Sequence, residues 1–328
     1  MQVKGMIFAI GGKLKSVNFI GLISRLLLGL AMVFILLLVP LGAYSKAERD
    51  TTEVLIQQSH IEKAQLQKMK HWLENGVKVV ELTLGPMPAD RLNVELVKKS
   101  FANEPVPFAQ VIRGDPNKVK LQVNPTWPLQ NFVDDWTLYH ELSHLYLPYL
   151  NYSAFWLNEG FATYMQNVSM LNGGVIDKKA FMQKVLAGLE RGRKNTLLRP
   201  GKLSDVSADM WRQHAYMRVY WTGTAFFVEV DLLLMQQGSS LAAVVGKYSQ
   251  CCLAQESTGE ALMQQLDAIA DTRLFYQTYR RYIDRQDFPM IKAEQLQRLA
   301  RYYSSQGNLL RHFPEHSQAH SKDGSLQN

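Results

Sequence analysis

The sequence predicts an α+β protein, with a small N-terminal β-sheet, a mainly helical part after it, and a membrane-targeting helix in front. Three observations carry that prediction. Short strand-like segments separated by Gly- and Pro-bearing turns fill residues 76–125. Helical apolar spacing then runs from about residue 130 to 305. An uninterrupted apolar run, Leu26 to Val39, precedes both.

Lys4, Lys13, Lys15 and Arg25 lie on the N-terminal side of that run, Pro40 follows it, and Ser45-Lys46-Ala47 offers a small-x-small cleavage site. Those flanks are the pattern of a secretory signal and argue against a buried core helix. Counted from Val17 to Val39, the stretch is also long enough to span a bilayer. The basic residues then predict an inside N-terminus and an exported remainder. Residues 1–47 are therefore read as a signal peptide or membrane anchor. A retained anchor holds the protein at the inner membrane facing the periplasm, with the membrane as a partner. A cleaved signal leaves it secreted or periplasmic.

The chain of 328 residues has 36 basic and 29 acidic side chains, but residues 1–47 hold five of the basic ones and no acid. The remainder is close to neutral, no nucleic-acid-binding motif occurs, and nucleic acid is excluded as a partner.

Residues 48–310 form the expected domain. Glu48 to Glu74 reads as a polar amphipathic helix ended by Asn75-Gly76. Strands are expected at Val77 to Leu84, Leu92 to Val97, Phe108 to Ile112 and Val119 to Val123, the last at the sheet edge. Gly85-Pro86, Glu104-Pro105 and Gly114-Asp115-Pro116-Asn117 mark the turns. Asp134 and Asp135 suit the start of a helix through His140 and His144 that Pro148 stops. Asn151 or Ser153 is placed to cap the next helix, which runs to about Leu171. Further helices are expected near 177–192, 207–237, 239–249, 257–268, 271–285 and 292–305. Residues 311–328 read as a disordered polar tail, in which His312, His316 and His320 have no apolar face to hold a helix. Cys251 and Cys252 are adjacent and are expected as two small unpaired residues in a helix.

The chemistry concentrates in His140-Glu141-Leu142-Ser143-His144 and in Glu159, fifteen residues later. Two His four apart on a helix differ by about 40° in direction, so one cation can bridge them. Glu141, about 100° round from His140, lies on the adjoining flank. Glu159 on a second helix would be the third ligand. His, His and Glu with an open position make a catalytic zinc site, whereas structural zinc is closed by four ligands. Zn²⁺ lowers the pKa of a water it binds to about 7, and Glu141 is placed to take that proton as general base. Peptide or protein is the expected substrate. The plain alternative, a surface helix with two His and a Glu, is weakened by the surrounding Leu and Tyr. Three unpartnered ionisable groups would be costly to bury there.

His140 to His144, together with Trp156-Leu157-Asn158-Glu159-Gly160-Phe161-Ala162, resembles the gluzincin metallopeptidases, in particular the aminopeptidase N branch. The resemblance implies a thermolysin-like catalytic domain, zinc bound by His140, His144 and Glu159, and Glu141 as general base. It also implies an oxyanion-stabilising Tyr about sixty residues beyond the ligand Glu. Tyr220-Trp221-Thr222-Gly223 lies 61 residues after Glu159, so Tyr220 inherits that role. Tyr216 and His214 are fallback donors.

Three departures matter. The fourteen residues between His144 and Glu159 make a shorter gap than the family's. The family's segment that holds a substrate's free amine has no clear counterpart. Pro116 stands where its Glu is expected, with Asp115 as the nearby substitute. The family's outer domains are not matched, so the resemblance implies a catalytic domain alone. Exo- versus endo-cleavage stays open, and a metal-bound scaffold of the cell envelope that processes nothing is the alternative class.

Overall fold

The computed structural model describes residues 52–306. The expected targeting helix, the polar tail and its three His lie outside the described residues. Among the described residues no helix is long and apolar enough to cross a membrane.

A mixed architecture is present as expected, with a small sheet ahead of a helical bulk. The first strand, β1 (Glu53–Ser59), and the first helix, α1 (Lys63–Leu84), correct the expectations for that region. Residues 53–59 were expected in a helix and residues 77–84 in a strand. Val54, Leu55 and Ile56 instead extend along a parallel neighbour. Val77 to Leu84 continues α1 because Met69, Trp72, Leu73, Gly76, Val77, Val80 and Leu84 recur at helical spacing and are all buried. Burial of that face overrides the β-propensity of the valines. Gly76 does not end the helix. A Cβ there would collide with Leu138, so the glycine marks a close helix–helix approach. The helix ends at Gly85, whose φ of 81° favours glycine.

Three more strands follow: β2 (Arg91–Lys98), β3 (Phe108–Ile112) and β4 (Lys118–Val123). The sheet order is β1-β2-β4-β3. β2 runs parallel to β1 and β4, with Val94 opposite Val119 and Leu96 opposite Leu121. β3 is antiparallel to β4. The edge strands are therefore β1 and β3, and Val119 to Val123 lies in the interior. β4 has Val119, Leu121 and Val123 fully buried, as suits an interior strand.

The helical part begins with α2 (Leu129–Asp134) and α3 (Thr137–His144). Asp134, expected at the start of α3, instead closes α2, whereas Asp135 just ahead of α3 accepts the Thr137 N–H at 2.8 Å. A two-residue strand, β5 (Tyr149–Leu150), and a 3₁₀ turn (Tyr152–Ala154) lead into α4 (Phe155–Asn172), which is buried along its whole length. Neither Asn151 nor Ser153 caps α4. Asn151 donates to Ser153, and the Trp156 N–H is satisfied from a distance by Ser207 Oγ at 3.0 Å.

Beyond α4 come α5 (Lys178–Leu198), α6 (Leu203–Ala208), α7 (Met210–Gln213) and α8 (Tyr216–Gln236). The expected single helix over 207–237 is broken at His214, whose φ is 50°. Then follow α9 (Leu241–Cys251), β6 (Glu256–Ser257, paired with β5), α10 (Gly259–Ala270), α11 (Leu274–Tyr282) and α12 (Ala293–Gln306). Cys251 and Cys252 are joined by a disulfide, contrary to expectation. The helix ends at Cys251 and Cys252 leaves it at φ −142°, so the pair does not share regular helix.

One buried carboxylate ties the helical part together. Asp231 on α8 accepts the Leu241 N–H at 2.8 Å and the hydroxyls of Tyr164 and Tyr303 at 2.7 Å each. Burial raises its pKa, and the three donors oppose that rise. Asp231→Ala strands three buried donors and is expected to cost about 3 kcal/mol or more, read from the urea midpoint at unchanged slope. Asp231→Asn, which keeps an acceptor oxygen, is expected to lose less.

Candidate metal centre

α3 and α4 meet with His140, His144 and Glu159 facing one another, all with ligand atoms within 4.8 Å. The two imidazole Nε2 atoms are 3.1 Å apart, and Glu159 Oε2 lies 3.3 Å from His140 Nε2 and 3.8 Å from His144 Nε2. Zinc bonds of about 2.0–2.1 Å at tetrahedral angles set ligand atoms about 3.3 Å apart. The observed triangle is close to one face of that tetrahedron. Glu159 Oε2 is buried and has no hydrogen-bond donor in good geometry. Three lone-pair atoms crowd a point with nothing else to satisfy them. The donor set therefore fits Zn²⁺.

The ligands are held by their surroundings. His140 Nδ1 lies 2.8 Å from Gln166 Oε1, so the ring donates there and leaves Nε2 bare for a metal. Gln166 is two helical turns past Glu159 on α4, on the same face. Arg113 donates to the His144 carbonyl at 2.8 Å. Asn158, beside Glu159, accepts the Leu150 N–H at 2.9 Å and donates to the Pro148 carbonyl at 2.8 Å. Those two bonds fasten the short loop after α3 to the start of α4. This is how fourteen intervening residues suffice to bring Glu159 to the His pair.

Tyr220 reaches the centre because α4 and α8 cross at two glycines. A Cβ on Gly160 would overlap the Gly223 backbone and come within 2.8 Å of the Thr224 nitrogen. A Cβ on Gly223 would overlap the Trp156 carbonyl and lie 2.7 Å from the Gly160 Cα. The Tyr220 ring lies parallel to His140 with centroids 6.2 Å apart, and its hydroxyl bonds to Glu159. Burial, then the Glu159 charge, holds that hydroxyl well above the ordinary tyrosine pKa, so it remains a donor.

Glu141 is 7 % exposed and sits on the flank toward β3, where it accepts the Val111 N–H. Burial pushes its pKa up to about 7. Glu159 adds to the rise, and His140, the Val111 N–H and Arg113 oppose it. Burial lowers His144 to about 3, which leaves it a neutral imidazole. For His140, burial acts downward, yet the bond and charge of Glu159 outweigh it and the net shift is upward. The Glu159 carboxyl is raised by burial but lowered on balance by His144 and His140. Each of the two opposed shifts favours the charged form of its group, and a bound cation would displace any proton on the ligands, since ligands must shed protons to bind metal.

The structure thus brings together all five residues singled out in the sequence: His140, Glu141, His144, Glu159 and Tyr220. Tyr216 lies near Tyr220, whereas His214 is exposed and turns its ring toward Tyr216. Asp115 is exposed on the turn between β3 and β4. Sequence reasoning missed Gln166 and Arg113. The seven-residue spacing from Glu159 signals Gln166, but Arg113 reaches the centre only through the sheet.

A family model described as M61 glycyl aminopeptidase matches residues 146–225, a stretch that contains Glu159 and Tyr220. No curated protein matches the chain. Among solved structures, a variant of a two-domain M1 zinc metallopeptidase bound to L-arginine is similar at 16% identity and a TM-score of 0.47, covering 72% of this chain and 49% of that one. The M1 zinc metallopeptidase from Deinococcus radiodurans gives 16% identity and 0.45, over 70% and 46%. An aminopeptidase N family protein from Idiomarina loihiensis gives 14% and 0.42, over 75% and 44%. The chain spans about half the length of these solved structures.

Proposed function

We propose that this chain is a zinc-dependent peptidase that hydrolyses peptide bonds in peptide or protein substrates, on a thermolysin-like catalytic domain. The observation that carries the reading is the triangle of His140, His144 and Glu159 ligand atoms, with sides of 3.1, 3.3 and 3.8 Å and Glu141 beside it. The family model over residues 146–225 supports it.

His140, His144 and Glu159 would hold the ion. When bound, zinc supplies an acidified water and polarises a substrate carbonyl. Glu141 takes the proton from the attacking water and returns it to the leaving amine. Its buried setting beside β3 suits a base whose pKa lies near neutrality. The Tyr220 hydroxyl donates to the oxygen that becomes negative as the carbonyl carbon turns tetrahedral. To do so it must leave Glu159, which would serve as a metal ligand. Gln166 holds the His140 ring in the tautomer that ligation needs. Arg113 fixes the His144 backbone.

β3 is an unpaired edge, and its Val111 N–H points to Glu141 rather than into the sheet. A substrate in extended form could add to that edge, beside Glu141. The apolar run ahead of residue 40 supports the reading of an exported catalytic part, either anchored or released.

A chelator is expected to abolish cleavage of a mixed peptide set by the purified protein, and stoichiometric zinc to restore it. Cleavage that survives complete metal removal, confirmed by elemental analysis, contradicts the proposal. Comparing N-terminally blocked with free peptides in the same assay assigns exo- or endo-cleavage.

A further inference from the structure

Next to the metal centre, on the Tyr220 side, lies an open-sided pocket of about 520 Å³ between α4, α5 and α8. That volume is within the range of small-molecule and side-chain sites. Tyr220 and Gln166 belong to both the pocket wall and the metal surroundings, so the two are continuous. α5 contributes Lys184 and Arg191, seven residues and two turns apart and therefore on one helix face, with the small Ala187 between them. No acidic side chain lines the pocket.

The two cations are not committed elsewhere. Among the described residues neither forms an ion pair within 4 Å. The nearby acid on α5, Glu190, is taken by Arg193 at 2.7 Å and Lys194 at 3.7 Å. Asp135 feels the Lys184 charge but is not part of the wall. Arg191 is instead spread over the Trp221 ring, 5.3 Å from its centroid. The ring is also held by α5, because Gly188 lets it press against the helix backbone where any Cβ would collide with it. The wall also holds Thr163, 4 % exposed, whose hydroxyl is buried without a partner. An unused hydroxyl donor, a braced aromatic plane and two unpaired cations line one cavity. Together they suit an anion carried on an apolar stem.

We propose that this pocket is a substrate subsite for a carboxylate-bearing residue of the peptide. Lys184 and Arg191 draw the carboxylate, and Trp221 packs against the carbon chain that carries it. The proposal rests on the peptidase reading above and names the substrate class for that site. The carboxylate is either the side chain of Asp or Glu or the free C-terminal carboxyl of a short peptide. Both present the same chemistry to the two cations.

The test uses the zinc-loaded protein and matched peptides that carry Glu, Gln or Lys at each position, with free or amidated C-termini. Cleavage is expected to favour a carboxylate at one position by about fivefold in kcat/KM, the size that two exposed cations support. The preference should shrink as salt rises from 0.05 to about 0.5 M. Loss on Glu→Gln identifies a side chain; loss on amidation identifies the terminus. The K184A/R191A double variant should bring the ratio close to one, and K184E/R191E should turn the preference toward Lys. Equal cleavage of acidic and neutral peptides, or a preference that survives in K184A/R191A, overturns the proposal.

Binding of the same labelled peptides to the zinc-loaded E141Q protein, followed by anisotropy, separates this proposal from the peptidase reading. Acid-selective binding with no cleavage by the unaltered protein keeps the subsite and removes the peptidase assignment. Cleavage with no acid selectivity in rate or binding does the reverse.

Discussion

Glu141→Gln protein is expected to retain stoichiometric zinc and fold normally while peptide cleavage falls by about 10²–10⁴-fold, the range for loss of a positioned general base. Glutamine matches glutamate in shape, and its amide oxygen can still accept the Val111 N–H. The ligand triangle of His140, His144 and Glu159 does not include Glu141, so metal content should be untouched. What is lost is the capacity to take a proton, and nothing else near the centre replaces it. Glu159 is engaged with the two His, and the Tyr220 hydroxyl is held well above its usual pKa. The contrasting variant is Glu159→Ala, which removes a ligand and should lose both zinc and activity. Elemental analysis beside kinetics on both variants checks the assignment. An E141Q protein that cleaves at the original rate would show that Glu141 is not the base.

Gly223→Ala is expected to be the most damaging single-methyl change in the described chain, costing about 3 kcal/mol or more. The added Cβ meets backbone on both sides: the Trp156 carbonyl, and the Gly160 Cα at 2.7 Å. No rotamer change relieves a clash with main chain, so α4 and α8 must move apart. That separation would open the buried seam around Phe161, Phe226 and Phe227 and would draw Tyr220 away from Glu159. Gly160→Ala should behave similarly. Gly114→Ala is the control, since its added carbon meets only the Pro116 carbonyl at an ordinary 3.5 Å. Urea unfolding of the three variants, with zinc content measured alongside, reads both consequences. A G223A protein as stable as the parent would mean that the two helices do not cross at these residues.

The elements that could be read in one dimension are those with a strong local period. β2 alternates Leu92, Val94 and Leu96 inward, and α5, α9, α10, α11 and α12 begin within a few residues of their expected starts. The region before β2 was misread because residues 53–59 and 77–84 have ambiguous local signals. Val77, Val79 and Val80 favour a strand when isolated, and only the buried face shared with Met69 and Trp72 makes them helical. Gly76 looked like a helix stop because a glycine in sequence carries no record of what presses against it. Here it is Leu138. Likewise, no spacing rule distinguishes an edge strand from an interior one, so β3 and β4 exchanged roles.

For the site, the residues of the HExxH helix were legible because adjacent turns of one helix are related by backbone geometry alone. Glu159 and Tyr220 were reached through motif resemblance, and their convergence on His140 is a matter of packing. Sequence established the chemical inventory: which side chains can ligate, which can accept a proton, and which sit on a common helix face. Tertiary structure decided which of these meet. A helical period is written by dihedral angles a few residues long, whereas the approach of α4 to α8 depends on two missing methyl groups far apart in the chain. The neighbourhood of Arg113, Gln166, Lys184 and Arg191 likewise exists only after those distant segments have packed.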